Sequence, residues 1–158
     1  MTDDHSGALQ KAILEAFPKA DPPPIDQIAR NGYCEEADWL RKDFTRVEWW
    51  NAEENTIIKN FTRLPFFEAA GYHYYLPAFL LYASKHVNEF DSVLEFVLYN
   101  LGPSELPRAQ VWSEERKCLF SKRERDVVIM FLTSIADDKD LEIFHATAAR
   151  ALKYWMKE

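Results

Sequence analysis

The side chains best suited to acid–base or metal chemistry are four isolated histidines, His5, His73, His86 and His145. None forms an H-E-x-x-H motif, pairs with a second histidine at i+4, or has a cysteine at metal-ligand spacing. The sequence therefore predicts no metal ion and assigns no catalytic residue. A role in proton transfer stays open for His73, provided that the fold brings a carboxylate beside it.

An aromatic segment is the least ordinary feature of the chain, because eight of the 22 residues from Phe61 to Tyr82 are aromatic. Two interpretations stay open: these rings form the core, or tyrosines with a solvated hydroxyl line a pocket or an interface. The same alternatives apply to the adjacent Trp49 and Trp50, which point in different directions, so that one is less buried than the other. The candidate binding residues are Trp49, Trp50, His73, Tyr74 and Tyr75.

Charge indicates what kind of partner such a surface would bind. The chain has 26 acidic and 19 basic residues, a net charge of -7, and this balance excludes nucleic acid as the main partner. Residues 1–58 hold 12 acids and 6 bases, whereas residues 59–158 hold 14 and 13. The acidity belongs to the N-terminal third, so we expect a basic protein to dock where that third meets the aromatic segment.

Several classes of protein are excluded by what the sequence lacks. Cys34 and Cys118 form no disulfide or zinc pattern, the dispersed glycines form no nucleotide-binding loop, and the acidic N-terminus is unlike a signal peptide. The charge-poor segment 64–84 contains prolines, a glycine and four tyrosines, which argues against a transmembrane helix. We expect a cytoplasmic protein without a cofactor and without membrane association.

The elements that must position these residues are helices, because apolar residues recur at spacings of three and four. The chain is predicted to be all-α, a single compact domain over residues 1–158 with six to eight short helices and a loose tail at residues 1–6.

Two helix starts are well marked by capping residues. Asp91 caps a helix over Ser92–Leu101, and Ser121 with Glu124 forms a capping box. Three further expectations follow from the pattern: a helix begins at Pro77, residues 103–112 form a loop, and Asp140 caps the last helix.

The chain also resembles a family of short bacterial proteins catalogued only as a domain of unknown function. The resemblance rests on the order of five pieces: Phe67-Glu68-Ala69, the Y-Y-L-P-A-F-L-L run at 74–81, residues 91–103, Phe120-Ser121 and Phe131-Leu132. It implies a small, mostly helical, intracellular bacterial protein, and it carries over no catalytic residue.

Two functions follow as hypotheses. The first is a non-catalytic protein-binding module, antidote-like, which captures a basic partner. The alternative is a small-molecule-binding domain or an enzyme with an aromatic-lined pocket near Tyr74 and Tyr75, in which His73 and a carboxylate act as acid and base. The sequence does not decide whether the protein is an enzyme, although it favours a protein without catalytic activity. It also allows a homodimer formed through the aromatic residues.

Overall fold

The computed structural model describes residues 3–158, in which helices account for all the regular secondary structure apart from one isolated bridge between Ala29 and Phe67. The described α-helices are α1 (Asp3–Ala16), α2 (Ile25–Ile28), α3 (Glu35–Phe44), α4 (Glu54–Asn60), α5 (Ala69–Lys85), α6 (Ser92–Leu101), α7 (Pro107–Cys118), α8 (Lys122–Ala136) and α9 (His145–Trp155). Short 3₁₀ turns lie at Trp49–Asn51, Phe61–Phe66, Val87–Glu89 and Lys139–Phe144.

This architecture confirms the all-α prediction and forms one compact domain. The described residues contain nine α-helices, one more than the upper bound of the predicted range. Residues 1 and 2 of the predicted tail lie outside the described residues, and α1 begins at Asp3.

Helix α5 lies at the centre of the fold, in contact with α1, α2, α4, α6, α7 and the turn at 49–51. The prediction that a helix begins at Pro77 is wrong, because Pro77 lies inside α5, eight residues after its first residue, Ala69. Proline removes the hydrogen bond to the carbonyl of His73, one turn earlier. The helix continues through this position because most of its side chains are buried and tertiary packing stabilises it.

The aromatic segment supplies much of the core. Tyr75 and Phe79 pack with Phe44 and Phe67, with ring centroids 4.6 to 6.2 Å apart. Of the eight rings in the segment, five are buried: Phe67, Tyr72, Tyr75, Phe79 and Tyr82. The other three, Phe61, Phe66 and Tyr74, are partly buried. Core packing therefore accounts for most of the aromatic excess, and Tyr74 is the tyrosine of the segment that keeps partial exposure.

A close backbone approach holds α2 against α5. Gly71 faces the backbone of Ile28 so closely that a Cβ there would lie 2.5 Å from the Ile28 carbonyl oxygen. That oxygen accepts a hydrogen bond of 2.9 Å from the Glu68 amide, just before α5. Only glycine allows this approach, because any side chain would overlap the backbone of Ile28.

The two predicted capping motifs are confirmed. The Asp91 carboxylate accepts hydrogen bonds from the amides of Val93 and Leu94 at the start of α6. Ser121 and Glu124 form a reciprocal capping box at the start of α8. Both motifs depend on residues three positions apart or fewer, which is why the sequence alone was sufficient to predict them.

Two further boundary predictions, the loop at 103–112 and the Asp140 cap, are wrong. Helix α7 begins at Pro107, inside the segment 103–112 that was expected to be a loop. Its only buried residue is Lys117, so it has no apolar stripe to mark it. Asp140 does not cap the last helix: Asp138 accepts the Asp140 amide at a 3₁₀ turn, and α9 begins at His145.

Candidate functional site

A small pocket opens where the connector after α1 meets α5 and α8. It has a volume of about 200 Å³ and is called here the His73 pocket. Its lining residues come from four segments: Phe17, Pro18, Ala20, Trp49, His73, Tyr74 and Glu124.

His73 and Glu124 form the polar part of this pocket. The His73 Nε2 atom lies 3.0 Å from Glu124 Oε2, across 51 residues of sequence. The same carboxylate oxygen accepts the Ser121 amide at 2.7 Å, as part of the capping box that begins α8. The Glu124 side chain is only 4% exposed and that of His73 is 29% exposed, so the pair lies at the inner end of the pocket.

The ionisation of Glu124 follows from these contacts. Burial by itself raises the pKa of Glu124, but hydrogen bonds from His73 and from the Ser121 backbone outweigh burial and lower the pKa below its ordinary value. Glu124 is therefore a carboxylate at neutral pH, and Nε2–H of His73 is the donor. The Ser121 side chain adds a weaker hydrogen bond to the same carboxylate.

The aromatic walls are fixed by long-range hydrogen bonds to the connector. The Tyr74 hydroxyl donates to the Ala20 carbonyl at 2.7 Å, and Trp49 Nε1 donates to the Pro18 carbonyl at 2.9 Å. Phe17 packs edge-on against Trp49, with ring centroids 6.2 Å apart. Because these bonds span 31 and 54 residues, the walls are held by the tertiary fold and the pocket is pre-formed.

Two carboxylates lie close enough to the Tyr74 hydroxyl to influence its ionisation. Burial raises the pKa of Tyr74, and the nearby carboxylates of Glu48 and Asp21 raise it further. Glu124 lines the pocket, whereas Glu48 and Asp21 act on Tyr74 from outside the lining. The Lys19 ammonium lies 6.0 Å from the ring centroid of Trp50, and neither residue lines the pocket.

The structure brings three of the five candidate residues, Trp49, His73 and Tyr74, into this pocket. Trp50 packs edge-on against Trp49 and is partly buried. Tyr75 lies below in the core, where its hydroxyl donates to the carbonyls of Phe44 and Val47 at 2.7 and 2.8 Å. Sequence reasoning did not find Glu124 as a member of the site, although its capping box placed it at a helix start.

Neither a metal centre nor a membrane span is found among residues 3–158. No group of three or more His, Cys, Asp or Glu side chains in this range is arranged to hold a metal ion. No helix in the same range is both long and apolar enough to cross a bilayer.

The fold and pocket define the class of the protein: a single-domain, all-α protein with an aromatic pocket that contains a His–Glu pair. Residues 24–158 match the family of unknown function DUF6714, and the chain belongs to this family. The resemblance to a family of unknown function is thereby confirmed over more than four-fifths of the chain. No curated protein and no solved structure matches the chain. Three lining residues, Phe17, Pro18 and Ala20, precede the matched segment.

Proposed function

We propose that the protein is a non-catalytic protein-binding module, antidote-like, that captures a basic partner by inserting a lysine or arginine side chain of that partner into the His73 pocket. The observation that carries this proposal is the Glu124 carboxylate, which is ionised and only 4% exposed, beside the partly exposed Tyr74 in the His73 pocket. A buried charge is stabilised by a charged partner with hydrogen-bonding capacity, which a basic side chain supplies.

The aromatic lining of the His73 pocket also favours a cation. Phe17, Trp49 and Tyr74 line the pocket, but Phe17 and Trp49 are almost fully buried, so Tyr74 supplies the ring surface that a cation can approach. The combination of an aromatic cage and an acid is a recurrent way to bind ammonium and guanidinium groups.

The size and surroundings of the pocket favour one side chain of a protein over a large free ligand. A volume of about 200 Å³ lies below the range of about 300–1,000 Å³ that is typical of drug-sized ligands. The carboxylates of Asp21 and Glu48 lie near the Tyr74 hydroxyl, where they would attract a basic surface. The acidic N-terminal third and the aromatic segment meet at this point, since Asp21 and Glu48 belong to the first and Tyr74 to the second.

A cytoplasmic location in a bacterium is part of the proposal. Both cysteines are free thiols, with Cys34 partly buried and Cys118 exposed, which suits a reducing compartment.

The direct test uses the purified chain and two small probes. Nα-acetyl-lysine amide should shift the NMR signals of the residues around His73 and Glu124. Nα-acetyl-norleucine amide, which has the same four side-chain carbons without the ammonium, should not. Glu124→Gln keeps a group that can cap α8 but removes the charge, so it should weaken lysine-amide binding at least about tenfold. Equal shifts from both probes, or full binding by Glu124→Gln, would contradict the proposed pocket chemistry.

The partner itself is tested by affinity capture from the native host. The wild-type chain should retain one basic protein in stoichiometric amount, and about 1 M salt should release it because charge attraction is then screened beyond about 3 Å. Tyr74→Ala and Glu124→Gln should abolish capture. Tyr99→Ala is the matched control, since Tyr99 is an exposed tyrosine on α6 outside the pocket. Recovery of the chain alone at low salt, or as a homodimer by mass, would count against a separate basic partner.

The second candidate is a small-molecule-binding domain or an enzyme, and the His73–Glu124 pair is the observation that favours it. An ionised carboxylate that holds Nε2–H leaves Nδ1 of His73 as the acceptor, which is how a general base is oriented. Native mass spectrometry of the purified chain distinguishes the two functions. A small molecule retained at high salt and lost in His73→Asn would favour this candidate over a protein partner.

A further inference from the structure

A second cavity, larger than the His73 pocket, is lined by a different set of residues. It is a cleft of about 380 Å³ between the segment at 30–33, the segment at 65–69 and helix α7, and is called here the α7 cleft. The side chains that give it chemical character are Arg30, Tyr33, Glu68, Trp112, Glu115 and Arg116.

Arg116 is the most constrained of these side chains. Its Nη2 atom donates to the carbonyls of Pro65 and Phe67 at 2.8 and 2.6 Å, and its guanidinium lies 4.5 Å from the ring centroid of Tyr72. These contacts hold the guanidinium in one orientation, with Nη2 occupied. In the described part of the chain, Nε and Nη1 have no hydrogen-bond acceptor, so two donors of a fixed guanidinium stay available in the cleft wall.

Arg116 also has no ion-pair partner. No carboxylate of residues 3–158 lies within 4.0 Å of it. Burial lowers the pKa of the guanidinium, and the more distant charge of Glu68 offsets only part of this effect. Partly buried cations in proteins are usually paired, because the loss of hydration must be offset. Nε–H and Nη1–H do not point in the same direction, because each parallel pair of guanidinium donors includes Nη2, so each free donor can form a single charge-assisted hydrogen bond with a carboxylate oxygen.

The other charges in the cleft limit how negative a ligand can be. Arg30 adds a second cation, loosely paired with Glu68 at 3.8 Å between two largely exposed side chains. Glu68 and Glu115 contribute two carboxylates to the same lining. With two positive and two negative groups, the cleft accommodates one ligand carboxylate near Arg116, whereas the like charges of Glu68 and Glu115 oppose a phosphate or polyphosphate.

Two aromatic side chains flank the cleft and are more exposed than such rings usually are. Tyr33 is 54% exposed and Trp112 is 52% exposed. Such rings offer flat apolar surfaces on which another ring can stack. The cleft volume falls inside the range of about 300–1,000 Å³ that is typical of small-molecule sites.

We propose that the α7 cleft binds a small aromatic monocarboxylate, whose carboxylate pairs with Arg116 and whose ring packs against Trp112 and Tyr33. This site is separate from the His73 pocket and does not depend on the function proposed for that pocket.

The test uses two pairs of probes that differ only in charge: benzoate with benzamide, and indole-3-acetate with indole-3-acetamide. Calorimetry and amide NMR shifts of the purified chain should show the two acids binding at the segments 30–33, 65–69 and 112–116. Each acid should bind at least about tenfold more tightly than its amide. Inorganic phosphate should not compete.

Variants assign the contacts. Trp112→Ala alters an exposed side chain and should weaken indole-3-acetate binding at least about tenfold without loss of folding. Arg116→Lys keeps a cation that can reach a carbonyl but removes the guanidinium donors, so it should weaken the binding of both acids. If this variant does not fold, Trp112→Ala still tests the proposal. Tyr99→Ala, on α6, should bind as the wild type does. Equal binding of acid and amide, no binding at millimolar concentration, or full binding by Trp112→Ala would overturn the proposal.

Discussion

Gly71 and Ile28 approach each other more closely than any pair of residues with side chains could, since a Cβ on Gly71 would lie 2.5 Å from the Ile28 carbonyl oxygen and 2.8 Å from its Cα. The obstructing atoms are backbone, which cannot rotate away. Helix α5 and the short helix α2 are therefore in contact through a position that tolerates glycine alone.

We expect Gly71→Ala to lower the free energy of unfolding by about 1–3 kcal/mol, as overpacking does, although alanine is the better helix former. The control is Gly7→Ala in α1, where nothing lies within 4 Å of the added Cβ. That substitution should stabilise the protein by about 0.5–1 kcal/mol. Urea denaturation of both variants measures the difference, and a Gly71→Ala protein as stable as Gly7→Ala would show that the contact is looser than described.

Glu124 should make the protein sensitive to acid. Its pKa is lower in the folded chain than the usual value of about 4.3, so its contribution to stability is complete above that pH and is lost as the pH falls through the folded pKa. We expect the free energy of unfolding to decrease below about pH 4.3 and expect Glu124→Gln to lose less stability over the same range. Denaturation at a series of pH values measures both slopes; parallel slopes would remove Glu124 as the cause.

His86 should give the free energy of unfolding a pH dependence of the opposite sign. Its Nδ1 lies 2.8 Å from a Glu89 carboxylate oxygen, and its Nε2 lies 3.1 Å from one of Glu54. Burial lowers the pKa of His86, but these two hydrogen bonds outweigh burial and raise it. The pair interactions therefore stabilise the fold fully below about pH 6.5 and are lost as the pH rises through the raised pKa.

We expect the free energy of unfolding to change by no more than about 1 kcal/mol as His86 loses its proton, because both glutamates are more than half exposed and surface ion pairs are weak. Thermal melts across neutral pH should show a small decrease in stability for the wild type and a flatter profile for His86→Gln. The double variant Glu54→Gln with Glu89→Gln should flatten the profile in the same way.

Lys117 should contribute more to stability than its residue type implies. Its ammonium donates to the carbonyls of Tyr154 and Lys157 at 2.8 and 2.7 Å, at the C-terminal end of α9. Lys117→Met keeps the apolar part of the side chain and leaves these carbonyls without their donor, which should lower the free energy of unfolding by about 1–3 kcal/mol. Lys122→Met is the control: Lys122 is 89% exposed and pairs with Asp126, so its loss should change stability by no more than about 0.5 kcal/mol. Similar values for the two variants would contradict the capping role.

Local signals allowed the sequence to predict the helices begun by Asp91 and Ser121, because each cap lies within three residues of the amide it binds. Pro77 and α7 were mispredicted because tertiary contacts decide them: burial carries α5 through its proline, and α7 has no apolar stripe. Asp140 does not cap α9 because it lies inside the 3₁₀ turn at Lys139–Phe144, which precedes that helix.

The candidate site was predictable in part for the same reason. His73 and Tyr74 were chosen from residue type alone, and the structure places both in one pocket. Glu124 lies 51 residues from His73, so no spacing rule connects them. Tyr74 and Tyr75 are adjacent and chemically identical, and only the packing of α5 places one at the pocket and the other in the core.

Two neighbouring cations on helix α7 bind carbonyls elsewhere in the fold, since Arg116 binds carbonyls before α5 and Lys117 binds carbonyls at the end of α9. Because Lys117 is the only buried residue of α7, whereas most of α5 is buried, we expect the amides of α7 to exchange with deuterium faster than those of α5. An acid bound at Arg116 would then protect α7 selectively, and hydrogen exchange would report occupancy of the cleft as the ordering of one helix.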